Sequence, residues 1–450
     1  MAQVGSGEPP PDFATALRHR RLGTGMTQEE LARRTGISTR AIGDLERGRV
    51  ARPQTRTLRA LAAALTTDEA ELRALLPRGG AEPAASEPGW GGLLCAPPPE
   101  IADFTGRERE LAELRARLAD RRDSHRAPVF VITGAPGSGK SAFLVRAAHR
   151  LADAYPGGCF HLPLGRGPVD VAHVLGVLLG ALGVPSRRLP EGTDARSSLY
   201  RSLLRDRKVL LLVDDVTGEE QVRPLLPSNP DCLVLVAGRR GLAGLESVGR
   251  VPLDVLAPAD SVRLLAAIAG AERIRREPSA SLALAGLCGH LPLALRIAGN
   301  RLAERPRWRV ADLLRVLDDP SGRLTELTAG DLRVRPAFEA SYRLCGDVAR
   351  SVFRRLSAVE DGEIAVRRVA VLGEVDVDSA GRALEELVDL GLLECAAGGG
   401  SYELPALLRL FAAERCAAEE PLPALRARAT ALAGRAPARH HALRRRGAGC

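Results

Sequence analysis

Lysine is almost missing from this chain. Of sixty-four basic residues only Lys140 and Lys208 are lysines. An arginine bias of that size, together with abundant Ala and Gly, reflects genomic base composition, so total basicity alone excludes little and proves little. Aromatic residues make up 3% against 45% hydrophobic residues, so sizeable cores are available and are expected to be aliphatic. No apolar run reaches the roughly 18 residues that would span a bilayer, and the N-terminus has no basic-then-apolar signal segment. That argues against a membrane and for the cytoplasm. The eight cysteines (Cys95, Cys159, Cys232, Cys288, Cys345, Cys395, Cys416, Cys450) include no Cys-x-x-Cys pair and no nearby histidine group, which excludes a zinc ribbon or a disulfide framework and leaves reduced thiols.

What charge there is lies unevenly. Residues 12–60 carry a net +6 and residues 425–450 a net +7, while the whole 450-residue chain carries +9, so the middle is slightly acidic. The positive field is concentrated at two ends, where it suits nucleic-acid phosphates. The length is enough for about three domains.

One of the two lysines completes Gly134-Ala-Pro-Gly137-Ser-Gly139-Lys140-Ser141. Glycines let a loop turn its N–H groups inward around a phosphate, and an ammonium supplies a compact, flexible point charge there. The apolar run Val129–Ile132 before it reads as a buried strand, and the amphipathic stretch 142–151 after it reads as a helix whose N-terminus faces the phosphates. Lys140 is expected to reach the β/γ-phosphates of ATP or ADP, and Ser141 to hold Mg²⁺. A second apolar run, Val209–Val213, ends at Asp214-Asp215. Asp214 is the expected Mg²⁺ partner, and Asp215 is placed to orient or deprotonate an attacking water. A third run, 233–236, leads to Arg239, read either as a γ-phosphate sensor or as a solvated loop arginine.

Near the N-terminus, Phe13 to Leu17 opens an amphipathic helix, and Thr27-Gln-Glu-Glu30 is a capping-box pattern for a second helix that ends at Gly36. A third helix is expected from Ser38 through Glu46 to Gly48. Two short helices joined by a glycine turn form a helix-turn-helix. The stretch from Met26 to Gly48 resembles the phage Cro-type, or Xre, DNA-binding family over residues 13–65. By that resemblance Gln28, Thr39 and Arg40 face base edges of double-stranded DNA, and Arg47, Arg49 and Arg52 lie along phosphates. Leu31, Ala32, Ile37, Ile42, Leu45, Leu58 and Leu61 are the expected core. The Pro/Gly-rich segment 78–98 reads as a linker.

Phe104-Thr-Gly106-Arg107 upstream and Cys288-Gly-His-Leu-Pro292-Leu downstream join the phosphate loop and the acidic pair in one order. Together they resemble the NB-ARC branch of the signal-transduction ATPases over residues 100–415. The resemblance implies a multidomain chain: a helix-turn-helix domain (1–77), the linker, an α/β P-loop domain with a parallel sheet (99–255), a helical subdomain (256–330), a winged-helix-like domain (331–418) and a basic tail (419–450). It also carries Gly106 and Arg107 over to the adenine side and sets Pro292 beside the nucleotide. Two departures stand out. Ala237-Gly238 replaces the hydroxyl residues usual before the sensor arginine, and Leu404-Pro405-Ala406 replaces a Met-His-Asp-like motif, so a histidine that touches the ADP β-phosphate is missing and an ADP-held closed state should be weakened. About 35 residues follow Arg415, without a repeat period.

These readings converge on a transcriptional regulator whose DNA binding, or self-association into a homodimer or larger homo-oligomer, is set by nucleotide, with slow ATP turnover serving as the switch. The alternatives are an assembly or defence ATPase whose helix-turn-helix is only autoregulatory, and an enzyme proper such as a nucleic-acid motor or a P-loop kinase.

Overall fold

The computed structural model describes residues 13–46, 55–65, 67, 71, 97–120, 126–165, 169–359, 362–396 and 400–420. Arg47, Arg49 and Arg52, most of the 78–98 linker, the tail beyond residue 420, Cys95 and Cys450 lie outside them. The chain divides into two compact units, Met1–Gly89 and Trp90–Cys450.

The first unit contains α1 (Phe13–Gly23), α2 (Gln28–Thr35), α3 (Thr39–Glu46) and α4 (Thr55–Ala64). Phe13, Leu17, Leu31, Ile42, Leu45, Leu58 and Leu61 form its core, with Ala32 and Ile37 half-buried against it. Thr27 caps α2, its hydroxyl accepting the Glu30 N–H at 3.1 Å. Gly36 closes the helix at φ 70°, a backbone setting that costs glycine nothing, with its N–H on the Ala32 carbonyl. The Ser38 hydroxyl accepts the Ala41 N–H at 3.3 Å, so Ser38 caps α3 instead of opening it. Under the α2–α3 pair lies a buried ion pair. Arg21 Nε and Nη2 donate to Glu46 at 2.6 and 3.0 Å, and Arg21 Nη1 donates to the Met26 carbonyl at 2.7 Å.

The second unit opens with α5 (Glu108–Ala119), β1 (Val129–Thr133), α6 (Lys140–Leu151), β2 (Cys159–Pro163), α7 (Val171–Ala181), α8 (Thr193–Leu203), β3 (Leu210–Val216), α9 (Glu219–Val222), β4 (Leu233–Gly238) and β5 (Gly249–Pro252). The five strands form one parallel sheet in the order β2-β3-β4-β1-β5. Both faces are covered, which is why the strands read as continuous apolar runs. Phe130, Ile132, Leu210, Leu212 and Leu235 pack with Phe143 and Leu144 of α6. Val129, Val131, Leu211, Val213 and Val234 pack with Leu175 and Leu178 of α7. The acidic pair falls inside β3, next to a register shift between Val213 and Val216.

Helices follow: α10 (Pro258–Ala269), α11 (Ala271–Arg276), α12 (Pro278–Leu287), α13 (Pro292–Glu304), α14 (Val310–Asp318) and α15 (Pro320–Glu326). A hairpin of β6 (Thr328–Ala329) and β7 (Leu332–Arg333) leads to α16 (Val334–Tyr342) and α17 (Asp347–Leu356). The chain continues through β8 (Ile364–Ala365), α18 (Val366–Gly373), α19 (Val377–Asp389), β9 (Glu394–Cys395), β10 (Ser401–Glu403) and α20 (Ala406–Glu419). Strands β8, β10 and β9 make a small antiparallel sheet beside α17–α19. A single apolar core runs from Leu256 to Ala412, and the boundary expected at 330/331 falls in the turn of the β6–β7 hairpin. That core is not purely aliphatic. Phe338, Tyr342, Phe353 and Phe411 stack edge to face or tilted, with ring centroids 5.8 to 6.1 Å apart, because the few aromatics are gathered where α16, α17 and α20 meet.

The six cysteines among the described residues are all free. No helix among them is long and apolar enough to cross a membrane.

Candidate nucleotide site

At the carboxyl edge of the parallel sheet, where β1 turns into α6, a cavity of about 490 Å³ opens. Its floor is the loop 136–139 and the first residues of α6. Gly134 adopts φ 144° and Gly137 φ 87°. A Cβ on Gly134 would sit 2.3 Å from the Leu253 carbonyl oxygen, so no side chain fits there, and one on Gly137 would press Leu291 and Leu293 at 3.1 Å in a backbone setting that side chains rarely adopt. Lys140 Nζ donates to the carbonyls of Gly134 at 2.7 Å and Ala135 at 3.0 Å. Burial, and after it the Arg239 charge, push its pKa down to about 8 against the opposing pull of Asp214 and Asp215. A buried ammonium held only by carbonyls is short of negative charge, which a phosphate supplies. Ser138 Oγ beside it is buried without a hydrogen-bond partner. The loop therefore fits a phosphate group.

The acidic pair closes one end. Burial raises the Asp214 pKa, while hydrogen bonds from the Ser141 hydroxyl and the Asp215 N–H oppose that rise, the latter at 2.9 Å. Ser141 and Asp214 thus converge on one point, as a Mg²⁺ site with phosphate oxygens and waters for its remaining ligands requires. No cluster of three or more His, Cys, Asp or Glu able to cage a metal occurs among the described residues. Asp215 takes a left-handed backbone, φ 57°, and leaves its carboxylate half-exposed toward the cavity, with Arg239 Nη2 at 3.7 Å. Arg239 Nη1 also lies 3.5 Å from the Ala337 carbonyl and the Ser341 hydroxyl of α16.

The opposite end is walled by Ile101, Phe104, Thr105, Leu256, Leu264 and Pro292. Pro292 is both the N1 proline of α13 and a lining residue, and the next N–H, that of Leu293, donates to the Gly137 carbonyl at 3.2 Å. Arg107 lines the cavity, yet its guanidinium is engaged: it donates to the Ser138 carbonyl at 3.3 Å, to the Asp254 carbonyl and to Glu110 at 2.9 Å. It braces the loop from behind. Gly106, at φ 76°, packs on Asp260 and is not a lining residue.

The structure thus gathers Arg107, Gly137, Gly139, Lys140, Ser141, Asp214, Asp215, Arg239 and Pro292 around one cavity. Sequence reasoning missed Asp103 and Arg296, which line it and bind each other. It also missed Gly391, where an added Cβ would lie 3.0 Å from Gly134 O and Ala135 Cα. Asp103 directly precedes the Phe104 motif and Arg296 lies one turn after Pro292, but nothing in the sequence pairs them. Of the residues expected on DNA, Thr39 is exposed at the start of α3 and Arg40 follows it in that helix. Gln28, at the start of α2, is half-buried, and its amide donates to Glu46 at 2.7 Å.

A parallel sheet with a glycine loop, a lysine, a serine and a strand-end acid at its carboxyl edge defines a P-loop nucleotide-binding protein. Residues 103–333, half the chain, match the AAA ATPase domain, and the chain belongs to that family. Residues 12–75 match a helix-turn-helix domain. The chain is 38% identical over 332 residues to the regulatory protein AfsR of Streptomyces griseus, covering 73% of this chain and 34% of that one. It is 38% identical over 322 residues to the regulatory protein AfsR of Streptomyces coelicolor, covering 70% and 32%. It therefore spans about a third of the length of these curated relatives. Among solved structures it is similar to a signal transduction ATPase with numerous domains from Pyrococcus horikoshii that has a tetratricopeptide repeat sensor, at 19% identity and TM-score 0.33, covering 75% of this chain and 47% of that one.

Proposed function

We propose that this protein is a cytoplasmic DNA-binding transcriptional regulator whose DNA affinity or self-association is set by the nucleotide in its P-loop cavity. In this reading the helix-turn-helix is of Xre type, with Thr39 and Arg40 at base edges and Arg47, Arg49 and Arg52 along phosphates. The second unit is NB-ARC-like, residues 256–330 acting as its helical part and 331–418 as a winged helix. Ser141 and Asp214 would hold Mg²⁺, which would supply positive charge toward the nucleotide's phosphates. Lys140 holds those phosphates, and Asp215 orients the attacking water.

One observation supports the switch above the others: Arg239 reaches both Asp215, at the acidic end of the cavity, and Ala337 and Ser341 of α16. A γ-phosphate entering there competes for the Arg239 guanidinium and loosens its hold on α16. A lone helix-turn-helix reads one half-site, so pairing two by nucleotide-driven association raises affinity without new base contacts. The test is to select a DNA ligand with the full chain, then measure affinity and stoichiometry with ADP, with a non-hydrolysable ATP analogue and without nucleotide. Identical values in all three states overturn the proposal.

A further inference from the structure

His161 stands on β2 opposite Leu212 of β3, two positions before the register pair Pro163 and Asp214. Cys159, Leu210 and Leu212 belong to the core face shared with α6. Strand side chains alternate, so His161 and Asp214 share that same face, against which α6 packs with Ser141 in its first turn. The ring and the Asp214 carboxylate interact electrostatically. Burial lowers the ring's pKa, and the Asp214 charge opposes that shift.

His161 Nε2 is shielded from solvent and has no hydrogen-bond partner. Buried polar atoms are rarely left so, and each one calls for an explanation. Among the described residues seven side-chain atoms are in this condition. Four are single nitrogens of Arg20, Arg146, Arg409 and Arg415, whose guanidinium groups bind elsewhere. A fifth is the Tyr200 hydroxyl, in the core of the other sheet face. The remaining two are Ser138 Oγ, in the phosphate loop, and His161 Nε2.

We propose that His161 is a positioning residue for the metal, its Nε2 hydrogen-bonding a water of the hydrated Mg²⁺ that Ser141 and Asp214 hold. Mg²⁺ keeps several of its waters when bound through one carboxylate and phosphates, and such waters need fixed partners on the protein side. An imidazole offers one nitrogen to that water as donor or acceptor according to tautomer. This inference rests on the nucleotide reading of the cavity.

The test uses the full chain and calorimetric titration with ADP, once in excess Mg²⁺ and once in EDTA, for wild type, H161F, H161L and H161Q. Wild type is expected to bind ADP more tightly with Mg²⁺. H161F and H161L should cut that Mg²⁺-dependent gain roughly tenfold and leave the EDTA affinity unchanged, and H161Q, whose amide can bond the water, should restore most of it. An undiminished gain in H161F or H161L overturns the proposal. So does an equal loss in both media, which would make His161 a shaper of the pocket. Two apolar replacements of different shape, each checked by thermal melting, guard against a variant that fails to fold. A wild type that binds no ADP in either medium overturns the nucleotide reading itself, a result distinct from the other two.

Discussion

Arg296 and Asp103, 193 positions apart, meet in a two-pronged ion pair at the edge of the nucleotide cavity, with Nη1 3.0 Å from Oδ2 and Nη2 2.5 Å from Oδ1. The pair ties the segment before α5 to the first turns of α13. The Arg296 hydrogen bonds hold the Asp103 carboxyl below its ordinary range against the opposing effect of burial.

Breaking this tie should free one wall of the cavity. D103A and R296A are each expected to speed ADP release, and the swapped pair D103R/R296D should recover part of the loss. A double-mutant cycle on ADP dissociation should give a coupling of about 1–2 kcal/mol, since both side chains are about three-quarters buried. Because the folded Asp103 pKa is depressed, the tie is complete above the ordinary carboxylate range and lost as pH falls through the lowered value.

Lys140 predicts proton uptake. With its pKa at about 8 in the free protein, a growing fraction is neutral as pH rises through that value. A bound phosphate stabilises the ammonium, so the complex must take up a proton there and affinity must fall above it. Calorimetry in buffers of different ionisation enthalpy should detect uptake near one proton at pH 9, falling steeply as the pH drops below 8. No buffer dependence at pH 9 would show that the lysine stays charged without nucleotide.

Gly391 tests the contact between the loop after α19 and the phosphate loop. Asparagine tolerates the φ of 67° at this position but adds a Cβ 3.0 Å from Gly134 O and Ala135 Cα, backbone atoms that cannot swing away. G391N should destabilise the second unit by about 1–3 kcal/mol. It should also weaken nucleotide binding, because Lys140 is held by the same two residues. G400N is the control, at φ 85° with nothing within 4 Å: it should carry only the strain of its left-handed backbone and leave nucleotide binding unchanged.

In the first unit, Arg21 and Glu46 have side chains only 9% and 3% exposed. Burial alone would raise the Glu46 pKa, but hydrogen bonds from Arg21 and Gln28 outweigh it and hold the carboxyl low. Its contribution is present above the ordinary glutamate pKa and lost as pH falls through the lowered one. R21A leaves a buried carboxylate without its counter-charge, bound only by the Gln28 amide, and should cost about 3–5 kcal/mol, read from urea unfolding of the helix-turn-helix signal.

Asp215→Asn keeps the size of the side chain and removes its charge. Nucleotide binding should persist and ATP turnover should slow at least tenfold, as for loss of a general base. Unchanged turnover measured by phosphate release would remove Asp215 from the hydrolytic step.

Local rules determined much of this protein. Val129–Ile132 must be a buried strand because it is uniformly apolar, the glycines of 134–139 must form an open loop because β1 has to turn sharply there, and Thr27, Gly36 and Ser38 mark helix ends through hydrogen bonds that reach only three or four residues. The residues that make up the phosphate and acidic ends of the cavity were legible for the same reason: each sits at the end of its own strand, and a parallel sheet brings strand ends to one edge. The tertiary structure decided what depends on chain segments far apart. Gln28 turned to Glu46 because a buried carboxylate needed one more donor, Arg107 was drawn to carbonyls behind the loop, and Asp103 found Arg296. Gly391 came to rest on Gly134, and His161 was sealed beside Asp214. Such pairings follow from the packing of strands and helices distant in the chain, and periodicity and spacing carry no record of them.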